Sequence, residues 1–223
     1  YDLTGKELWK RRDLGRQIHI WGNGSSPMIY KDLCFLNFGP GDTTYLLAVE
    51  KRTGKTVWKR DEDTGYKHPK EGQGDPGNTY IGSWTSPTIM AVDGKNQVLM
   101  SWPNRLVAYE PDTGKEIWTC RGLNPLVYTS PIFAEGIVVS MGGFNGMCIG
   151  VRTGGTGDVT DSHRLWHHPK TKQRIGSGAI SDGRIYVHND PGIAECFELK
   201  SGKLLWEERL KGKGVSGVNW SSV

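Results

Sequence analysis

Hydrophobic residues lie in short runs along this chain, and turn residues bound each run. In the stretch 25–61, the runs begin at Met28, Leu33, Tyr45 and Lys55. They are rich in β-branched and aromatic side chains, which is typical of strands. The predicted strands are 28–30, 33–38, 45–50 and 55–60. Because no stretch of helical length keeps the period of an amphipathic helix, the pattern predicts all-β structure.

A six-residue phrase, Thr/Ser-Gly-Lys-x-x-Trp, recurs along the chain. Its copies are 4–9, 53–58, 113–118 and 201–206, and a degenerate copy ends at Trp166. Four repeats separate Trp9 from Trp206, so the period is about 49 residues, a length typical of propellers and solenoids. Hairpin turns such as Asp93-Gly94 and Asp182-Gly183 fit four antiparallel strands in each repeat. Since four such strands make one propeller blade, the repeat predicts a β-propeller.

The whole chain, 1–223, is predicted to be one partial propeller domain. Four full blades are expected, and they span about 25–61, 84–120, 129–168 and 177–209. Partial blades are expected at 1–13 and 219–223. The partial blades could complete a five-bladed ring, or the chain could be a segment of a ring of about seven or eight blades. No second-strand equivalent lies between Val223 and Tyr1, which favours the segment.

The tryptophan that ends each phrase is expected to cover the contact between neighbouring blades. An indole buries about 200 Å² and suits a flat interface that recurs from blade to blade. The residues of this structural repeat are Trp9, Trp58, Trp118, Trp166 and Trp206, with Gly5, Gly54, Gly114 and Gly202 in the turns.

The four cysteines, Cys34, Cys120, Cys148 and Cys196, show no metal-ligand spacing, so no metal site is predicted. Two of them lie five residues before the Thr or Ser of the phrase, where other repeats have alanine. The residues at this position are Ala48, Ala108, Cys148 and Cys196. The sequence therefore predicts a small buried slot, in which a free cysteine acts as a small hydrophobe.

The charge of the chain is modest, at +4 from 28 basic and 24 acidic residues. No block of lysine or arginine stands out, so no nucleic-acid partner is expected. No apolar stretch approaches the length of a transmembrane helix, so no transmembrane segment is expected.

A small residue, then an acidic one (Glu50, Glu110 or Glu198), then the phrase resembles the pyrroloquinoline-quinone-like propeller repeat. Quinoprotein dehydrogenases share this repeat with outer-membrane assembly factors of the BamB type. If the chain resembled the enzyme branch in function as well, the resemblance would imply a quinone stacked on a tryptophan, a calcium ion held by Glu, Asn and Asp, and a catalytic Asp. No such set can be matched here residue by residue, and the chain has no adjacent cysteine pair. The resemblance thus implies a non-catalytic, BamB-like propeller of the periplasm or cell envelope, without a cofactor.

The expected binding face of the propeller is the one that carries two kinds of loop: those from strand four to the next strand one, and those from strand two to strand three. Aromatic and amide residues gather in these loops, and the long insertion 62–83 belongs to them. The candidate residues are Trp21, Asn23, Trp84, Trp102, Asn104, Arg105, Asn145, Asn189, Asp190 and Trp220. Such side chains suit a sugar, a peptide or a flat ring, although turn formation and packing between blades are alternative roles.

Two functions follow as hypotheses. In the first, the propeller has no catalytic residues and presents its loop-rich face to a protein or polysaccharide. In the alternative, the chain is part of a pyrroloquinoline-quinone- and calcium-dependent alcohol or sugar dehydrogenase, with Trp84 or Trp220 as a stacking platform for the quinone.

Overall fold

The structure is a computed structural model, and it describes residues 1–15, 19, 21–41, 43–65, 81–172 and 175–212. Trp220, the predicted partial blade 219–223 and most of the insertion 62–83 lie outside the described residues. Four antiparallel sheets follow one another along the chain. The first sheet comprises β1 (Met28–Tyr30), β2 (Leu33–Phe38), β3 (Tyr45–Glu50) and β4 (Thr56–Asp61).

The second sheet begins after a two-residue strand, β5 (Gly82–Ser83). It comprises β6 (Thr88–Val92), β7 (Lys95–Trp102), β8 (Arg105–Tyr109) and β9 (Glu116–Arg121). Asp93 and Gly94 join β6 to β7 with φ values of 48° and 75°. Two successive positive φ values match the right-handed twist of the flanking strands, which is why this pair forms the hairpin turn.

The third sheet follows β10 (Leu126–Val127), which pairs in parallel with β5. Its strands β11, β12 and β13 are Ile132–Ala134, Ile137–Met141 and Cys148–Arg152. A short strand, β14 (Gly157–Asp158), and a single helical turn, α1 (Thr160–His163), precede its last strand, β15 (Arg164–His168). The fourth sheet comprises β16 (Ala179–Ser181), β17 (Arg184–Asn189), β18 (Ile193–Glu198) and β19 (Leu204–Arg209).

The hydrophobic core lies between consecutive sheets. Phe35 and Trp58 of the first sheet pack in one cluster with Met100 and Tyr109 of the second. Similar clusters join the second sheet to the third and the third to the fourth. The sheets are therefore blades stacked face to face in chain order, and the prediction of an all-β propeller with four-stranded blades is confirmed. Within the described ranges, no helix is long and apolar enough to cross a membrane.

The tryptophan on the last strand of each blade has the same register throughout. It lies opposite a small residue of the third strand, and the opposed pairs are Trp58 and Ala48, Trp118 and Ala108, Trp166 and Gly150, and Trp206 and Cys196. Cys148 is free and buried, as predicted, but it lies opposite His168, so it is not equivalent to Ala48, Ala108 and Cys196. Thr153 is equivalent to Lys51 and not to Thr53, because its amide donates to the Gly136 carbonyl as the Lys51 amide donates to that of Asp32. Counting back five residues from Thr153 therefore passes Gly150.

Each of three indoles lies on the turn glycine of the next blade. A Cβ atom added to Gly114 or to Gly202 would lie 2.6 Å from the ring of Trp58 or Trp166, and Gly54 is covered in the same way by Trp9. The indole N–H donates to the carbonyl three residues before that glycine. The donor–acceptor distances are 2.9 Å from Trp9 to Lys51, 2.7 Å from Trp58 to Pro111 and 2.9 Å from Trp166 to Leu199.

A second contact completes the same joint. The side chain two residues after the tryptophan reaches the carbonyl oxygen of the turn glycine. Arg11 donates to Gly54 at 2.6 Å, Arg60 donates to Gly114 at 2.6 Å, and His168 Nε2 lies 2.8 Å from the Gly202 oxygen. The joint thus combines ring burial with two directed polar contacts, and it fixes the angle between neighbouring blades.

The joint between the second and third blades is built differently. The third repeat has extra residues before Trp166, and they form β14 and α1. Strand β14 adds in parallel to β9, and Val159 packs in the cluster that contains Trp118. The Trp118 indole is therefore 1% exposed, and its N–H donates to the Gln97 side chain at 3.0 Å.

Residues 1–15 contain no strand. They form a turn at Thr4-Gly5, and Trp9 and Leu14 then pack on the first blade. The Tyr45 hydroxyl donates to the Leu14 carbonyl at 2.6 Å, which holds this segment against β3. The segment therefore contacts the first blade through Trp9 in the way that the first and third blades contact the blade that follows each of them.

Candidate functional site

The inner strands of the four blades are tied together by a ladder of serines. The backbone N–H of Ser26 donates to Ser86 Oγ at 2.8 Å, that of Ser86 to Ser130 Oγ at 2.9 Å, and that of Ser130 to Ser177 Oγ at 3.2 Å. Each serine stands just before the first strand of its blade. The ladder fixes the loops that enter these strands, so those loops converge on one face of the propeller.

Aromatic side chains from three of these loops, together with one from the β12–β13 loop, form a continuous line, hereafter the aromatic line. Its members are His19, Trp21, Trp84, Tyr128 and Phe144. Trp84 is the centre, because its ring centroid lies 4.9 Å from His19, 5.7 Å from Trp21 and 5.0 Å from Tyr128. Tyr128 continues to Phe144 at 6.2 Å. Such spacings are those of interacting aromatic pairs.

Trp84 is held by its backbone as well as by its ring. Its indole N–H donates to the Gly22 carbonyl at 2.9 Å, and its amide N–H donates to the Val127 carbonyl at 2.9 Å. Strands β5 and β10 thus position the ring between two loops. The two ends of the aromatic line, Trp21 and Phe144, are each 45% exposed.

The side-chain amide of Asn23 links the loop before β1 to strand β2. Its Nδ2 donates to the Asn37 carbonyl at 3.0 Å, and its Oδ1 accepts from the Ser25 amide at 2.7 Å. Asn37 is buried, and its own Nδ2 donates to the carbonyls of Ser83 and Thr85 at 3.0 Å each. Sequence reasoning missed Asn37 because it lies inside a predicted strand.

Arg105 lies at the joint of the first and second blades. Its guanidinium donates to both carboxylate oxygens of Glu62, at 2.9 Å and 2.7 Å, and it also pairs with Glu116 at 3.2 Å. The hydrogen bonds to Glu62 raise the pKa of Arg105 above its usual value. This charge-assisted, bidentate pair joins the end of β4 to the start of β8.

The remaining candidate residues, three asparagines and Asp190, occupy turns or the interior. Asn104 and Asn145 have φ values of 68° and 59°, which asparagine tolerates better than most residues. Asn189 is buried and donates to the Glu195 carboxylate, and Asp190 precedes Pro191.

Two further side chains, Trp102 and Glu195, are buried. Trp102 is fully buried, and its indole N–H donates to the Tyr109 hydroxyl at 2.9 Å. Burial raises the pKa of the Glu195 carboxyl, although Lys172 opposes the shift.

The structure therefore brings Trp21, Asn23 and Trp84 together and places Arg105 and Asn189 elsewhere. His19, Tyr128 and Phe144 join the first group without having been predicted. The signal that could have found Tyr128 is its place two residues before Ser130, which matches Trp84 before Ser86. Among the described residues, no group of three or more His, Cys, Asp or Glu could hold a metal ion.

Comparisons with solved structures agree with the fold. The crystal structure of BamB from Moraxella catarrhalis superposes with a TM-score of 0.59 at 15% identity, over 84% of this chain and 48% of that one. Quinohemoprotein alcohol dehydrogenase from Comamonas testosteroni gives a TM-score of 0.52 at 16% identity, over 84% and 35%. These likenesses show a shared propeller fold.

Comparisons of sequence reach the same two groups of proteins. The quinoprotein ethanol dehydrogenase of Pseudomonas aeruginosa is 32% identical over 123 residues, which is 52% of this chain and 18% of the enzyme. The chain spans less than half the length of each of these three relatives. The family model described as outer membrane protein assembly factor BamB matches residues 42–219. Because that match covers most of the chain, the chain belongs to this BamB family of pyrroloquinoline-quinone-like propeller repeats.

Proposed function

We propose that the chain is a non-catalytic binding propeller of the cell envelope, on the periplasmic side, and that its loop-rich face binds a protein. The family model that matches the chain is described as an outer membrane protein assembly factor. This description supports both the proposed location and a protein partner. The observation that carries the proposal is the aromatic line. It crosses several loops of one face and exposes its ends at Trp21 and Phe144.

The chemistry of this face favours apolar side chains of a protein over a sugar. Both groups of the Asn23 amide already bond to Asn37 and Ser25, and the Trp84 N–H bonds to Gly22. Recognition of sugar hydroxyls relies on convergent polar groups, whereas exposed aromatic rings are enriched at protein interfaces. A partner segment with apolar side chains therefore fits the aromatic line best.

Site-specific photocrosslinking tests the proposal. A benzoylphenylalanine at position 144 should give a defined protein adduct in the native envelope, and mass spectrometry should identify an outer-membrane assembly component. The same probe at the exposed position 112, in a turn on the opposite face, is the matched control. The change Trp21→Ser should lower the adduct yield at position 144. Equal adducts at positions 112 and 144 would contradict the proposal.

The alternative function, a part of a quinone-dependent dehydrogenase, has one specific observation in its favour, the 32% identity to the ethanol dehydrogenase. The fit of a quinone to the Trp84 platform is poor, because the rings of Trp21, His19 and Tyr128 already surround that indole. Reconstitution with calcium and pyrroloquinoline quinone, followed by dye reduction with alcohols and aldoses, separates the two functions. We expect no turnover, and saturable dye reduction would favour the enzyme.

A further inference from the structure

We propose that the cleft between the third and fourth blades binds a primary ammonium group, with the Glu195 carboxylate as its counter-ion. Both walls of the cleft belong to four-stranded blades, so the site does not depend on how the chain begins or ends. The ligand is a protonated alkylamine or the lysine side chain of a protein, since both present the same chemical group.

Glu195 occupies a position that is apolar in the other three blades. The equivalent residues, each directly before the small residue that lies opposite the tryptophan, are Leu47, Val107 and Ile149. These three side chains are buried in the hydrophobic core. Glu195 is only 5% exposed, and it also faces the preceding blade. Because a carboxylate at a core position costs desolvation free energy, packing alone does not explain it.

The space beside Glu195 is a small cavity that adjoins a larger cleft. The cavity has a volume of about 30 Å³ and the cleft one of about 350 Å³. The side chains that line both spaces are His168, Thr171, Glu195 and Phe197. A volume of this size lies in the range of small-molecule sites.

Three of these side chains present hydrogen-bond acceptors. Thr171 Oγ1 donates its hydrogen to the Gly146 carbonyl at 3.0 Å, so only lone pairs remain for a ligand. His168 Nε2 lies 2.8 Å from the Gly202 oxygen and donates to it, so the neutral ring keeps Nδ1 as an acceptor. The Glu195 carboxylate is the third. A primary ammonium group has three N–H donors and no acceptor, which matches this set.

The surroundings of Glu195 leave its charge incompletely balanced. Asn189 donates to one carboxylate oxygen and fixes the side chain. The other oxygen lies 3.9 Å from Nζ of Lys172, beyond hydrogen-bond distance, because Lys172 bonds to Glu207. Burial raises the pKa of Glu195, Lys172 opposes the shift, and Glu207 adds to it. Within the described part of this joint, two carboxylates therefore share one ammonium group, and a cationic ligand supplies a second.

The aromatic rings beside the carboxylate favour an ammonium group on an apolar body. The His168 ring centroid lies 5.3 Å from that of Trp166 and 6.1 Å from that of Phe197. Met141 and Val187 extend the apolar wall of the cavity. Aromatic faces attract ammonium ions, and an apolar wall buries an alkyl chain. An alkylammonium therefore fits this cleft better than an inorganic ion does.

Nuclear magnetic resonance of the isotope-labelled chain tests the site with pentylamine as the probe. Small amines bind weakly, so the titration extends to about 10 mM. Saturable shifts should appear at the amides of Glu195 and Phe197, and not at that of Tyr109, which lines the cleft of the first and second blades. Pentanol is the neutral control, and pentanoate tests attraction by Lys170, which also lines the cleft. Each should bind at least about tenfold more weakly than pentylamine.

Two variants separate the carboxylate from its surroundings. Glu195→Gln keeps the shape of the side chain and removes its charge, so it should weaken pentylamine binding by at least about tenfold. The matched control is Glu208→Gln, which removes a carboxylate from the opposite face of the same blade and should leave binding unchanged. A native circular dichroism spectrum of each variant shows that the fold is kept.

Further arms of the titration identify the source of the ammonium group. Acetyl-lysine amide with a free side-chain amine, compared with acetyl-norleucine amide, represents the side chain of a protein. Tighter binding of the lysine compound than of pentylamine assigns the cleft to a protein partner, and the reverse order assigns it to a free amine. Arg174 follows Lys172 by two residues and lies outside the described residues. Amine binding that appears only in Arg174→Ala would assign the cleft to the chain's own guanidinium and overturn the proposal.

Three other results would also overturn it. The first is the absence of saturable shifts at this joint with either amine over the whole titration. The second is equal binding of pentylamine and pentanol, since this would leave the charge without a role. The third is binding that Glu195→Gln leaves unchanged.

Discussion

At the scale of single residues, the copy 53–58 of the Thr/Ser-Gly-Lys-x-x-Trp phrase belongs to two joints at once. Gly54 receives the indole of Trp9, and Trp58 covers Gly114 of the next blade. The glycine is required for two reasons. Its φ is positive, and a Cβ atom would overlap the indole.

The four buried cysteines lead to a prediction at the same scale. Burial raises the pKa of Cys120 to about 11 and also raises the pKa of Cys34, Cys148 and Cys196. A raised pKa lowers the fraction of reactive thiolate at any pH below it. At pH 8 we therefore expect a thiol reagent to label the native chain slowly and to titrate four thiols at once in denaturant. Fast labelling of any cysteine in the native chain would contradict this burial.

At the scale of strands and turns, much of the fold could be predicted. The strands of the first blade were expected at 28–30, 33–38, 45–50 and 55–60, and β1 to β4 agree within one residue. Apolar runs bounded by turn pairs define a strand locally, so no knowledge of the neighbouring blade is needed.

Other features depend on the neighbouring blade and were missed. Alternation shows which side chains share a face of a sheet, but it does not show what covers that face. Trp102 was therefore expected on the surface, although it is fully buried. Strand β14 and helix α1 were also missed, because pairing with β9 and the burial of Val159 stabilise them rather than a local pattern.

The β14–α1 insertion gives a prediction at this scale. Val159→Ala should lower the free energy of unfolding by about 2 kcal/mol, because it opens a cavity beside Trp118. The exposed neighbour Thr156 offers a matched control, and Thr156→Ala should change the free energy by less than about 0.5 kcal/mol. Urea denaturation followed by circular dichroism measures both. Equal effects at the two positions would show that the insertion does not cover the joint.

At the scale of the whole molecule, stability is unevenly distributed across the stacked blades. The second blade is covered on both sides, and most residues of β7 and β8 are buried. Every residue of β19 is exposed. Regions with few buried contacts open at lower free energy than the core.

Hydrogen exchange read by mass spectrometry should follow this gradient. Peptides from β7 and β8 should exchange most slowly and those from β19 fastest. Uniform protection across the four blades would mean that the chain unfolds as one unit, with no difference between covered and uncovered blades.

The central claim is that indole-on-glycine joints hold the blades together, and a double-mutant cycle on Trp58 and Gly114 tests it most directly. Gly114→Ala should cost clearly more than Gly94→Ala, which changes a glycine of similar φ in open space and should cost about 1 kcal/mol. In the Trp58→Ala background, Gly114→Ala should fall to that same cost, because the overlap with the indole is gone. We predict a coupling energy of at least about 1 kcal/mol in urea denaturation, whereas additivity within about 0.5 kcal/mol would contradict the joint.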